Sequence, residues 1–245
     1  MMRRNNFPFS AVLGLNHAKT AILVVLVNPR AGGLLISGPQ GIGKSTLMRS
    51  TQELIERPWR DIPVSVTEDR LFGTIDTEKA IYSGQKKLYP GIINEADQGV
   101  LYLDDANLLR EDLLDSILNI AEVGAYQLER DGLSLRCDTS FTVIAAINPE
   151  SGMLSGACLD QFGLFVNVDN IHDENTRVEI LKRTISFEKD CASFCKLWKL
   201  ENKEGNTFCN VLAAQSGCFI GHDTVGIGIC IKSTCIRTSG GYLFN

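Results

Sequence analysis

Long apolar stretches are scarce in this chain of 245 residues. The longest, Ala21–Val27, falls far short of the roughly 20 residues that cross a bilayer, so no membrane span is expected. Positive charge is also short. Lys and Arg number 24 against 29 Asp and Glu, a net charge of −5, and the pI is about 5.3. With no basic stripe interleaved with aromatics, neither nucleic acid nor an anionic membrane is an expected partner. Basic Met1–Asn6 lacks the apolar segment behind it that a secretory signal requires, so a cytoplasmic location is expected, or plastid stroma in a eukaryote. The eight cysteines are not few, but close C-x₂-C pairs are missing. Cys191 and Cys195, Cys209 and Cys218, and Cys230 and Cys235 have three, eight and four residues between them, with His222 in the same region. Those spacings fit zinc poorly, and Cys191 with Cys195 fits one half-buried helical face.

A phosphate cradle is present. Leu34, Leu35 and Ile36 read as a buried strand running into Gly38-Pro39-Gln40-Gly41-Ile42-Gly43-Lys44-Ser45, a G-x-x-x-x-G-K-S loop, with Thr46 opening a helix. Glycines let the backbone curl so that successive N–H groups face a polyphosphate, and the helix N-terminus adds partial positive charge. Lys44 is placed to reach the β- and γ-phosphates, and Ser45 to give a hydroxyl to Mg²⁺. ATP and Mg²⁺ are therefore the expected ligands, in a compartment that keeps thiols reduced.

Val100–Leu103 then ends in Asp104 and Asp105. Four mostly apolar residues suit a parallel strand buried on both faces, and the C-terminal ends of such strands are where ligands bind. Asp104 fits a role on Mg²⁺, and Asp105 one in orienting or deprotonating water. Taken alone, the two acids could equally cap the next helix; the loop upstream favours the catalytic reading. Asn148 ends the run Phe141–Ile147, where its amide suits either the γ-phosphate and attacking water or a turn before Pro149.

The remaining chain predicts helices over Asn16–Val27, Thr46–Glu56, Ile92–Asp97, Leu108–Val123 and Asp173–Thr184, strands over Ile62–Val66 and Leu164–Val168, and a hairpin over Tyr126–Arg136 turning at Asp131-Gly132. Thr67–Gly73 reads as a solvated loop. Five strands alternating with helices predict an α/β P-loop fold with a five-stranded parallel sheet and helices on both faces. The expected division is a nucleotide-binding core over 1–185 and a linker helix with a divergent segment over 186–245. Gly217–Gly240 has many glycines and no helical period.

These blocks together resemble the AAA+ ATPase subunit of magnesium chelatase, the smallest of its three subunit types, over roughly Phe7 to Glu201. The similarity is carried by FPFSAVLG, TEDRLFGTID, YPGIINEADQGVLYLDDANLL, LERDGLSLR, INPESG, LDQFGL and ENTRVEILKR, with Phe187, Asp190, Phe194 and Trp198 resembling a linker helix. The resemblance implies β-hairpin inserts, sensor 1 at Asn148, and a ring of this chain or of AAA+ paralogues that binds ATP between subunits. It also implies two partners, a von Willebrand-type adhesion-site subunit and a large porphyrin-binding catalytic subunit. The implied activity is ATP hydrolysis, a ligase-type role driving Mg²⁺ into protoporphyrin IX for chlorophyll and photosynthesis.

Departures stand out at three places: the second acid, the arginine positions and the lid. The family's Asp-Glu is here Asp104-Asp105, its D-R-F-G arginine is Gln161, and Ser155 replaces a further arginine. The helical lid with its sensor 2 arginine has no counterpart after about Glu201, so a truncated or aberrant lid is expected. Two alternatives therefore stay open: a non-hydrolysing regulatory paralogue in mixed rings, and a related cobalt-chelatase or MoxR-type ATPase.

Overall fold

Leu34–Ser37 (β1), Val100–Leu103 (β5) and Thr142–Ile147 (β8) are buried at every residue, as strands covered on both faces must be. The computed structural model describes residues 6–75, 88–130, 133–198 and, by backbone alone, 229–231. Within them, β1 pairs in parallel with β8 and with Leu164–Asn167 (β9), and β5 pairs in parallel with β8 and with Trp59–Ile62 (β2). The sheet order is β9-β1-β8-β5-β2, the five expected parallel strands. Backbone Ile229–Ile231 adds a sixth, antiparallel strand beside β9, which the glycine-rich tail did not suggest.

Period-two alternation divides the core. Leu34, Ile36, Val100, Tyr102, Ile144 and Ala146 face helices α1 (Asn16–Val27) and α2 (Lys44–Thr51). Leu35, Leu101, Leu103, Val143 and Ala145 face α3 (Glu68–Phe72), α4 (Ile92–Glu95), α5 (Glu111–Val123) and α6 (Gly156–Gln161). Helix α5 buries Leu113, Leu114, Ile117, Leu118 and Ile120, one stripe of an amphipathic helix, with Glu111 and Asp112 in its first turn. Gly73–Ile75 (β3) with Leu88–Pro90 (β4), and Ala125–Arg130 (β6) with Leu133–Asp138 (β7), form the two antiparallel inserts. The turn at Asp131-Gly132 lies outside the described residues.

Several boundaries differ from expectation. The second strand is Trp59–Ile62 rather than Ile62–Val66, because Pro63 has no N–H to continue the ladder. Thr67–Gly73 contains helix α3, not a solvated loop, and Leu71 is fully buried there. Five residues with one adjacent apolar pair are too few to show a helical period. The loop helix begins at Lys44 instead of Thr46 and stops at Thr51, passing into a 3₁₀ turn at Gln52–Leu54. A 3₁₀ turn at Ala106–Leu108 precedes α5, which starts at Glu111 rather than Leu108. The last long helix, α7 (Glu174–Lys189), runs past Thr184, and Asp173 caps it by accepting from Thr176 N at 2.8 Å.

The leading segment is stitched to the core. Lys19 of α1 donates to Val12 O, and its ammonium lies 5.3 Å from the Phe9 ring centroid. Burial, then the nearby Arg183 charge, lowers its pKa to about 8. Below pH 8 both folded and unfolded states hold this proton, and the folded state carries the full penalty of a buried charge. As pH rises from about 8 towards 10.5 the unfolded chain holds more protons, so this group makes stability rise with pH. Urea melts from pH 7 to 10 are expected to show that gain in the wild type and its loss in Lys19→Met. Parallel pH slopes for the two proteins would contradict it.

The C-terminal end of the described region is an aromatic knot. Phe7 lies 5.2 Å from Phe187 and 5.4 Å from Phe194, and Arg183 stacks on Trp198 at 4.5 Å. The helical segment 191–198 presents Cys191 and Cys195 on one half-buried face, with Sγ atoms 4.0 Å apart, as the i, i+4 spacing predicts. The expected lid region, with Cys209, Cys218, Cys235 and His222, falls outside the described residues, as does the Cys230 side chain. No helix among the described residues is long and apolar enough to cross a membrane.

Candidate nucleotide site

The loop after β1 folds as its glycines allow. A Cβ on Gly38 would sit 2.5 Å from Val168 O, so the backbone passes β9's exit only without a side chain. Gly43 has φ +94°, the left-handed conformation that turns the loop into α2. Gly38 N donates to Ile147 O, and Val168 N to Ser37 O, fixing the loop to both neighbouring strands. Gln40 and Gly41 are exposed at its crest, and Pro39 and Ile42 are half-buried.

Lys44 is 8% exposed. Its ammonium donates to Gly38 O at 2.6 Å and Pro39 O at 2.8 Å, so it lies across the mouth of the loop. Burial lowers its pKa, and the charges of Asp105 and Asp104 partly oppose that shift. Asp104 is held from two sides. Ser45 Oγ donates to it, 3.0 Å from Oδ2 and 3.3 Å from Oδ1, and Tyr102 OH donates to Oδ1 at 2.9 Å. The loop and the acids thus belong to one site, although 59 residues separate Ser45 from Asp104. Asp105 is half-buried with φ 51° and ψ 50°, a left-handed conformation that Asp tolerates better than most side chains.

Asn148 emerges from β8, the strand beside β5, as expected. Its side chain serves the local turn. Oδ1 accepts from Glu150 N at 3.1 Å and Nδ2 donates to Ser151 Oγ at 3.2 Å. Asn107 Nδ2 donates to Asn148 O at 3.1 Å and so fastens this turn to the chain just beyond the acids.

Beside the loop opens a cavity of about 810 Å³, lined by Gly41, Ile42, Gly43 and Thr46, by Val12, Leu13 and Leu15, and by Ile171, His172, Arg177, Ile180 and Arg183. Arg183 Nη1 donates to Ala11 O at 3.1 Å and braces the wall. Sequence reasoning did not assign these walls: they come from two stretches distant from the loop and from each other, and only folding brings them together. It also passed over Tyr102, although a polar tip in an otherwise aliphatic strand was a visible signal.

Residues 33–161 match a family model described as "AAA domain (dynein-related subfamily)". The magnesium-chelatase 38 kDa subunit of Cereibacter sphaeroides is 35% identical over 81% of this chain and 69% of its own length. A magnesium-chelatase subunit ChlI homolog of Methanocaldococcus jannaschii is 32% identical over 83% and 66% respectively. The chain belongs to the magnesium-chelatase 38 kDa subunit family of AAA ATPases. It spans about two thirds of the length of these relatives. A cryo-EM-based structure of the complex between subunits BchI and BchD of magnesium chelatase is similar too, with a TM-score of 0.65 and 33% identity over 87% of this chain and 76% of that one.

The two positions where the resemblance expects arginines lie at the two ends of α6. Ser155 caps that helix, its Oγ accepting from Cys158 N at 3.3 Å. Cys158 Sγ donates to Asp115 Oδ1 at 2.9 Å and pins α6 to α5. Gln161, half-buried at the helix's C-terminal end, places an amide where the resemblance expects a guanidinium.

Proposed function

We propose that this chain is the ATP-binding motor subunit of a magnesium chelatase, driving Mg²⁺ insertion into protoporphyrin IX. The observation that carries this reading is the bond between Ser45 of the loop and Asp104, which joins the two halves of a nucleotide site. The amides of residues 38–46 would bind the phosphates, and Lys44 would leave Gly38 O and Pro39 O to meet the β- and γ-oxygens. Ser45 and Asp104 offer hard oxygen donors that suit Mg²⁺. When bound, the ion neutralises charge developing on the phosphates. Asp105 orients and deprotonates the attacking water, and the Asn148 amide hydrogen-bonds the γ-phosphate once released from its turn. The apolar cavity beside the loop would take the base. Partners in this reading are AAA+ paralogues in a ring, an adhesion-site subunit and a porphyrin-binding catalytic subunit.

A second reading has an observation in its favour. Gln161 carries no charge, and the Ser155 hydroxyl is spent on a helix cap, so this subunit offers a neighbour no guanidinium at these two positions. It would then bind ATP in mixed rings and regulate a hydrolysing paralogue. ATP turnover measured alone, with an intact paralogue, and with the adhesion-site and catalytic subunits plus porphyrin tests both. Porphyrin-coupled turnover in the full mixture supports the motor. Nucleotide binding without turnover in any homo-assembly, with altered paralogue turnover, supports the regulator.

A further inference from the structure

β5 reads Val-Leu-Tyr-Leu, and its one polar tip lies two residues before Asp104, on the face turned to α2. Tyr102 is 4% exposed, and its hydroxyl stands 2.9 Å from Asp104 Oδ1. Ser45 Oγ approaches the same carboxylate from another element, nearest to Oδ2 at 3.0 Å. The terminal torsion of an aspartate is broad and nearly two-fold, so a single hydrogen bond leaves it loosely set. Two hydroxyls on different oxygens fix it.

The phenol is fixed in turn. Its ring packs on Trp59 with centroids 6.0 Å apart and planes at 39°. The Trp59 indole N–H donates to Asp61 Oδ1 at 2.7 Å, and Asp61 stands opposite Tyr102 in the β2–β5 register. Phenylalanine would fill this space without a buried hydroxyl that needs a partner. The oxygen's contact is with the one carboxylate that faces Ser45.

We propose that Tyr102 is a positioning residue for a divalent cation: it holds Asp104 with Oδ2 turned to Ser45 Oγ, so that carboxylate and hydroxyl meet Mg²⁺ as a preformed pair. The proposal rests on the nucleotide-site reading above and adds a residue to it. Partners behind a metal ligand typically carry about 10- to 100-fold in metal affinity.

Tyr102→Phe removes one oxygen and keeps the ring. In titrations of a fluorescent ATP analogue, the Mg²⁺ concentration giving half-maximal tightening is expected to rise about tenfold. Affinity in EDTA should stay within about twofold, since the nucleotide itself does not touch Tyr102. In an Asp104→Asn background, where the Mg²⁺-dependent tightening is expected to be lost, Tyr102→Phe should leave nucleotide affinity unchanged both in EDTA and in Mg²⁺, because the group it positions is gone. Trp59→Phe, which loosens the ring and spares the hydroxyl, should move the half-point the same way by a smaller factor. A merely structural bond would lower the melting temperature and leave the Mg²⁺ half-point alone. An unchanged half-point in both single variants, or equal shifts with and without Mg²⁺, overturns the proposal. If the wild type binds no nucleotide, the nucleotide-site reading falls with it; Mg²⁺-dependent wild-type binding with indifferent variants removes only the role of Tyr102.

Discussion

Lys44→Ala is expected to weaken nucleotide binding at least about a hundredfold. Charge-assisted hydrogen bonds contribute about 1.5–3 kcal/mol each, and each 1.4 kcal/mol is tenfold in affinity, so losing two such bonds reaches that scale. The side chain's present partners explain why the effect should fall on binding more than on folding. Its ammonium rests on two carbonyls of its own loop, Gly38 O and Pro39 O, so the bonds already in hand are local. Its pKa is lowered mainly by burial, and a triphosphate's charge would favour the protonated form. Fluorescent-nucleotide titration reads the loss, with circular dichroism to confirm that the fold remains. An affinity within tenfold of wild type would mean that the loop does not hold phosphate through Lys44.

Asp105→Asn is expected to separate chemistry from binding. A positioned general base contributes about 10²–10⁴ in rate, so turnover in the assembled complex should fall by that range while nucleotide affinity changes less than about threefold. Asparagine is chosen because residue 105 has positive φ and ψ. Asn tolerates that conformation as Asp does, whereas alanine would add backbone strain and confuse the result. Asp105 is also one methylene shorter than the glutamate of the pattern it resembles, and a reacting group displaced by about 1 Å can cost on the order of a hundredfold. Unchanged turnover in Asp105→Asn would remove the residue from the chemistry.

What the sequence made legible was whatever depends on local spacing or continuous apolar runs. The parallel strands β1, β5, β8 and β9 were read from such runs, the first three set by burial on two faces and β9 by its buried Leu164 and Val166, and α1 has the expected bounds. β2 was misplaced because Trp59–Ile62 buries only its two end residues and so shows no apolar run. α3 was missed because its one fully buried residue, Leu71, gives no periodicity. The loop residues and the acids were visible as motifs, and Ser45 Oγ on Asp104 joins them. Asn148 was placed on the correct strand end, but its hydrogen bonds to Glu150 N and Ser151 Oγ depend on the Pro149 turn rather than on the motif. Tyr102, two residues before Asp104 on the same strand, left a signal in its polar tip that was passed over. The cavity walls at Val12, Ile171 and Arg183 are long-range facts, and spacing along the chain carries no trace of them.

Titration of the wild-type protein with a fluorescent ATP analogue, in EDTA and then in millimolar Mg²⁺, tests most directly whether residues 38–46 and Asp104 form one triphosphate pocket. Saturable one-site binding that tightens on adding Mg²⁺, and loses that tightening in Asp104→Asn, is the expected result. Absence of binding, or binding indifferent both to Mg²⁺ and to Asp104→Asn, would contradict it.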